Sequence, residues 1–221
     1  MKAHSERVPG KNIKLLDGKP LFFHIADTLR ETEKFNLLAI NTDSKEISKL
    51  ATERYGDWVE VIERPKVLCG NYVPMNSIIA HDVDYLGINN DYLQTHSTNP
   101  LLRCMTIIDA VNQYFEGKSN KELDTLFSVN ALHTRLYNKD LRAINHDPHH
   151  LIRTQDLGVV YEENSCFYIF SGLTFSVNSL RIGNAPKPFT MSRNSFESID
   201  IDETTDWDFA QFIIKNRLYN D

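Results

Sequence analysis

A mostly parallel β-sheet covered by helices on both faces is the fold this sequence predicts, and three observations predict it. Short apolar runs alternate with amphipathic helical patterns through the first half of the chain. The 221 residues, 41% hydrophobic and 24% charged, suffice for one α/β domain with its own core. After about residue 120 the helices thin out and strand-like runs are separated by long polar stretches, which reads as an excursion inserted into the same domain. The expected organisation is a single domain over 1–221, with a strand-rich insertion at 133–165.

The elements follow in order. "LFFHIADTLRET" places Leu21, Ile25 and Leu29 at helical spacing, with Phe22 and Ala26 beside them. "NLLAINTD" is a buried strand ending in polar residues. "SKEISKLATERYG" is a helix with Ser44 as N-cap, Ile47, Leu50 and Ala51 on one face, and Gly56 as its stop. "WVEVIE" alternates as a strand does. "PMNSIIAHDVDYLG" starts at Pro74 and ends at Gly87, the usual asymmetry of helix ends. "DYLQTH" is a strand, and "MTIIDAVNQYFEG" is a helix closed by Gly117. "TLFSVNAL", "GVVY" and "CFYIF" are further strands. "ETTDWDFAQFIIKNR" is a final helix capped by Thr204 or Thr205.

The net charge of −6 excludes the basic excess of a general nucleic-acid binder, while leaving room for a local anion pocket. Three scattered cysteines without a CxxC pair speak against a disulfide framework and fit a reducing, cytoplasmic setting. No apolar run approaches the roughly 18 residues that a membrane span requires.

Three stretches carry candidate chemistry. In "HSERVPGKN", Arg7 and Lys11 flank a Pro9-Gly10 turn, with Ser5 before and Asn12 after. A glycine turn can present backbone N–H groups to an anion and the two cations can grip phosphates, although an exposed basic loop has the same composition. In "SIDIDETTDWDFA", Asp200 and Asp202 fall on one face of an extended segment, about 7 Å apart along the backbone. Two hard oxygen donors so placed can hold Mg²⁺ beside substrate phosphates; solvated acids at a strand end are the other reading. Asp206 and Asp208, in the first turn of the last helix, are accounted for by the helix dipole. In "DYLQTHSTNPLLR", a strand ends in neutral hydrogen-bonding groups beginning at Gln94. Turn chemistry explains Ser97, Asn99 and Pro100 but not Gln94. The histidines of "INHDPHHLIR" (His146, His149, His150) match no strong zinc spacing and read as a polar loop.

Taken together, "HSERVPGKNIKLLDGKPL", "RPKVLCGNYVPMNSIIAHDVD", "LQTHSTNPLLRC", "YEENSCFYIFS" and "ESIDIDETTDWDFA" resemble, in order and spacing, the CMP-sugar synthetases. These are the cytidylyltransferases that activate N-acylneuraminate and related 2-keto sugar acids. The resemblance implies a Rossmann-like nucleotidyltransferase fold, a small dimerisation excursion and a homodimer. It also implies a reaction in which CTP and a sugar acid give a CMP-sugar and pyrophosphate. Carried over, Ser5, Arg7, Lys11 and Asn12 bind the phosphates and cytidine of CTP, Arg64 assists at the nucleotide, Gln94 and Asn164 contact the sugar acid, and Asp200 and Asp202 hold Mg²⁺. Arg7, Lys11 and Asp202 are the residues expected to act directly in catalysis.

Two departures stand out. Sialate-type members read Arg-x-Gly-Ser-Lys at the loop, where this chain has Lys2-Ala3-His4-Ser5-Glu6. The Ser5-x-Arg7 arrangement is closer to the Kdo type, whereas "IDID" and "QTHSTNP" are closer to the acylneuraminate type. The sugar is therefore open among sialic, legionaminic, pseudaminic and related acids, with a Kdo or other sugar nucleotidyltransferase, or an inactive dimeric relative, as alternatives. Family members also carry an apolar strand immediately before this loop, which the resemblance places upstream of Met1 unless this is a version of the fold without it.

Overall fold

The structure is a computed structural model that describes residues 1–2, 7–70, 72–192 and 195–218. Turns dominate residues 7–14. Gly10 takes φ +62°, and the N–H groups of Ile13 and Lys14 both donate to its carbonyl at 3.0 Å. A two-residue hairpin follows, β1 (Leu15–Leu16) against β2 (Lys19–Pro20). Its turn, Asp17-Gly18, has φ of 48° and 81°, and an Asp-Gly pair suits two successive positive φ values.

The α/β alternation then runs as expected. Helix α1 (Leu21–Glu31) buries Leu21, Phe22, Ile25, Ala26 and Leu29. Strand β3 (Leu38–Thr42) leads into α2 (Lys45–Tyr55), where Ser44 Oγ accepts from Ile47 N at 3.3 Å and Gly56 ends the helix at φ +55°. β4 (Val59–Glu63) pairs parallel to β3. α3 (Met75–Leu86) lies between Pro74 and Gly87, the latter at φ +103°. β5 (Asp91–Thr95), α4 (Cys104–Ser119), β6 (Thr125–Leu132), β7 (Val160–Ser171), α5 (Gly172–Asn178), β8 (Pro186–Met191) and α6 (Thr204–Lys215) complete the order.

Strands β5, β7, β6 and β8 form one sheet in that order; β3 and β4 form a separate parallel pair. The expected mostly parallel sense holds, since β5, β6 and β8 share one direction and β7 is the one reversed strand of that sheet. β7 runs antiparallel to its neighbours β5 and β6, while β8 pairs parallel to β6. The reason is connectivity. β6 and β7 are the two arms of one long hairpin whose ladder reaches Leu132↔Val160, and residues 133–159 close its end. "GVVY" and "CFYIF" are accordingly one continuous strand.

The insertion also differs from the strand-rich expectation. Between β6 and β7 the described structure is turns held by side chains, with an isolated bridge from Tyr137 to Ala143 and Asn145 Oδ1 accepting from Leu136 N at 2.9 Å.

Alternation along β7 builds a core on each face of the sheet. Phe167 and Ile169 point toward α1 and α4, into a cluster with Ile25, Leu29, Ile107, Val111 and Tyr114. Tyr168 and Phe170 point the other way, toward Ile79 and Val83 of α3 and Phe175 of α5. Burying each such aliphatic or aromatic side chain contributes roughly 1.5–3 kcal/mol. Gly117 is not the stop of α4. It is buried in the last turn, two residues before the helix ends, and a Cβ there would fall 2.5 Å from Leu123 Cδ2, so the glycine serves close packing.

A third cluster matters most for the site. Trp207, Ala210 and Ile213 of α6 pack with Leu16, Leu21 and Leu101 around Ile201, which is fully buried. This packing folds the last helix back onto the first hairpin.

Candidate active site

Alternation in "IDID" sets the site. Ile201 is drawn into the α6 cluster and its N–H donates to the carbonyl of Thr98 at 2.8 Å. With Ile201 turned inward, Asp200 and Asp202 are left on the opposite side, as the period of two requires. The glycine turn then brings Lys11 to the same place. Its ammonium donates to the carbonyl of Ile201 at 2.6 Å and lies 3.4 Å from Asp202 Oδ1. Arg7 Nη2 is 2.8 Å from that same oxygen. Residues nearly 200 positions apart in the chain thus share one carboxylate.

Asp200 belongs to this group electrostatically. The residue as a whole is exposed. Its carboxyl nevertheless loses enough water to be held above the usual carboxylate range, with the Asp202 charge adding to the rise while a hydrogen bond from Thr98 and the charge of Lys11 oppose it. Asp206 orders the backbone. Its Oδ2 accepts the N–H groups of Asp202 at 2.9 Å and Glu203 at 2.8 Å. Glu203, not Thr204 or Thr205, is therefore the N-cap of α6.

Segment 94–98, leaving the carboxyl end of β5, connects this group to a second one. Ser97 Oγ donates to Asn12 Oδ1 at 2.7 Å, and Asn12 Nδ2 donates to the carbonyl of Lys2 at 3.1 Å. Further back, Gln94 Oε1 accepts from Arg181 Nη1 at 2.8 Å. Because arginine is only a donor, that bond fixes the orientation of the Gln94 amide. Gln94 Nε2 then donates to the Thr95 carbonyl at 3.2 Å and to His96 Nε2 at 3.1 Å. An accepting Nε2 requires a neutral His96. Burial, followed by the nearby Arg181 charge, pushes its pKa down to about 4, against the opposing pull of Asp202.

The remaining expected residues fall elsewhere. Arg64, buried at the ends of β3 and β4, donates from Nε to Asn41 Oδ1 at 2.6 Å and from Nη2 to the Asn41 carbonyl at 2.9 Å. Asn41 in turn donates to Asp82 Oδ1 at 2.5 Å, so Arg64 stands in a network of its own. Asn164 is not brought to Gln94. It donates to Asn130 Oδ1 at 3.1 Å and Met191 Sδ at 3.3 Å, on the β6–β8 side. Ser5 lies outside the described residues. Sequence reasoning missed Arg181, Glu163, Asn41 and the backbone role of Asp206. Only Asp206 had a readable signal, since an acid three residues into a helix is a common reciprocal cap.

No group of three or more metal-binding side chains occurs among the described residues. The pair of Asp200 and Asp202 still fits a hard divalent cation that takes its other oxygens from substrate and water. The Asp202 charge adds to the cost of ionising Asp200, and Asp202 already draws two cations.

A cationic loop and paired carboxylates meet beyond the strand ends of this sheet, and the family to which the chain belongs makes it a nucleotidyltransferase. The sequence model of the family described as "Cytidylyltransferase" matches residues 1–219, and the chain belongs to that family. It is 24% identical over 217 residues to the pseudaminic acid cytidylyltransferase of Campylobacter jejuni, covering 96% of this chain and 92% of that protein. It is 26% identical over 227 residues to the CMP-N,N'-diacetyllegionaminic acid synthase of Legionella pneumophila, covering 97% and 93%. Among solved structures, a CMP:2-keto-3-deoxy-manno-octonic acid synthetase complexed with CTP superposes with a TM-score of 0.68 at 12% identity, covering 98% of this chain and 96% of that one. The 4-diphosphocytidyl-2C-methyl-D-erythritol synthase of Anaerococcus prevotii superposes at 0.65 and 10% identity, covering 97% and 93%. At these identities the structural likeness speaks to fold.

Proposed function

We propose that this chain transfers CMP from CTP to the anomeric hydroxyl of a 2-keto sugar acid of the N-acylneuraminate type and releases pyrophosphate. The observation that carries this reading is the convergence of Arg7, Lys11, Asp200 and Asp202 at one end of a short segment whose other end holds Gln94. Nucleotide phosphates and an oxygen-rich acceptor thereby find partners within a few residues of each other.

The hydroxyl oxygen attacks the α-phosphorus, a new P–O bond forms, and the bond to the bridging oxygen of pyrophosphate breaks. Such transfers depend on positioning and charge neutralisation more than on covalent chemistry. Arg7 and Lys11 neutralise the leaving pyrophosphate. Asn12, tied to Ser97, fixes the loop toward the nucleotide. Asp200 and Asp202 would hold Mg²⁺, which when bound polarises the phosphoryl group and acidifies the attacking hydroxyl. Arg7 and Lys11, which share Asp202 in the structure, are the cations within reach of the phosphates. Arg64 is assigned to the nucleotide side through the ends of β3 and β4.

The same reading includes a cytoplasmic homodimer. Tyr137, Leu141, Ile144 and Leu151 of the 133–165 insertion are each at least half exposed, an apolar surface suited to a second copy. The test is pyrophosphate release from CTP with Mg²⁺ and each of N-acetylneuraminate, pseudaminate, N,N'-diacetyllegionaminate and 2-keto-3-deoxy-manno-octonate in turn. Release with one of the first three supports the reading, and release only with the fourth moves the enzyme to the other sugar type.

A further inference from the structure

Gln94 is held by an arginine that lies in no motif. Arg181 comes from the loop between α5 and β8, and its side chain is only 19% exposed. The guanidinium carbon lies 3.6 Å from the centre of the Tyr168 ring. Nη1 donates to Gln94 Oε1 at 2.8 Å, and Nη2 donates to Tyr168 OH at 2.8 Å. Gln94 and Tyr168 are register partners on β5 and β7, so their side chains share a face of the sheet and form a floor beneath the fork. The carboxylate that neutralises Arg181 is Glu163, at 3.2 Å and 43% exposed.

A planar guanidinium held over an aromatic ring is suited to bidentate recognition of a carboxylate, which lysine cannot reproduce. Glu163 is the more exposed member of the pair and also accepts from Tyr168 OH, so a carboxylate that takes its place at Arg181 returns Glu163 to solvent and inherits that hydroxyl donor. The position is also right. Segment 94–98 can extend over at most about 14 Å, and it runs from the partner of Arg181 to Thr98, which contacts the Asp200–Asp202 segment. One substrate can therefore reach both ends.

We propose that Arg181 binds the carboxylate of the sugar acid, with Glu163 as the internal placeholder that this carboxylate displaces. The inference rests on the proposed function, since it assigns a residue to that acceptor's charged group.

The test is steady-state kinetics with CTP, Mg²⁺ and whichever of the four acids the wild-type enzyme uses, with melting temperature measured alongside. Arg181→Ala should raise KM for the acid about ten- to hundredfold, the scale of a lost charge-assisted pair, while KM for CTP stays within about twofold. Arg181→Lys should fall between, keeping charge without the fork. Glu163→Gln should lower KM for the acid, because a neutral amide is a weaker placeholder. That opposite shift is one a merely structural role would not produce. An unchanged acid KM in Arg181→Ala, equal rises in both KM values, or a Glu163→Gln enzyme with a higher acid KM would overturn the inference while leaving the proposed function standing. A wild-type enzyme that releases no pyrophosphate with any of the four acids overturns both.

Discussion

Asp202 Oδ1 is shared by Arg7 and Lys11, so one oxygen organises both cations of the loop. Asp202→Asn keeps the shape and removes the charge. It should cost at least about 10²-fold in turnover, the scale of losing a preorganised electrostatic contact, with little change in folding because two of the three partners are well exposed. Near-normal Mg²⁺-dependent pyrophosphate release from that variant would refute the assignment of the pair. Lys11→Ala should slow CTP turnover far more than Arg30→Ala, since Arg30 is exposed on α1 and its described contact is with the Trp58 ring, 5.9 Å away. His96 supplies a prediction in pH. Its folded pKa is lowered to about 4, so the unfolded chain binds the extra proton more readily. The stabilisation is therefore complete above the ordinary histidine value near 6.5 and is lost as pH falls toward 4. A wild-type melting temperature that drops between pH 7 and 5 by more than that of His96→Gln would show this; parallel curves would contradict it.

At the level of elements, the entry to α6 decides whether the carboxylates are in place. Asp206 accepts the N–H groups of Asp202 and Glu203. Asp206→Ala should cost about 0.5–2 kcal/mol of stability, as for other lost caps, and lower turnover by loosening Asp202. Asp206→Asn, which retains an acceptor, should restore most of both. If thermal melts and rates of the two variants coincide with wild type, the helix entry does not hold the site. The helices were legible in sequence because local signals agree with tertiary demand: Ser44 caps α2, Gly56 and Gly87 end α2 and α3, and the Leu21–Leu29 stripe is buried. The reversal of one strand, β7, was not legible. Whether β7 returns parallel or antiparallel depends on how residues 133–159 turn, and those residues carry no periodicity. Lys11, Asp200 and Asp202 could be singled out as candidates because a glycine turn and an alternating acid pair are local patterns. Arg181 could not, because its role comes from Tyr168 and Gln94, 13 and 87 residues away. Asn164 lies beside the irregular register of β6 against β7, where its amide bonds Asn130 and Met191 and not Gln94.

For the whole molecule, the long β6–β7 hairpin carries the insertion with its exposed apolar side chains, the surface proposed to pair two copies. Native mass measurement should give twice the 25.5 kDa chain mass, and the double variant Leu141→Asp, Ile144→Asp should shift it to a single chain. A monomeric wild type would remove the dimer from the account. The packing of α6 onto the first hairpin joins the loop to the carboxylates, and the segment beyond β5 joins them to Gln94. That arrangement predicts one activity, CMP transfer to a sugar acid. The most direct measurement is pyrophosphate release with CTP, UTP or GTP, each paired with the four acids, with and without Mg²⁺. Mg²⁺-dependent release with CTP and one acid is expected, together with a CMP-sugar product of matching mass. Release with UTP or GTP in preference to CTP, or CTP turnover that is indifferent to the presence of any acid, would contradict it.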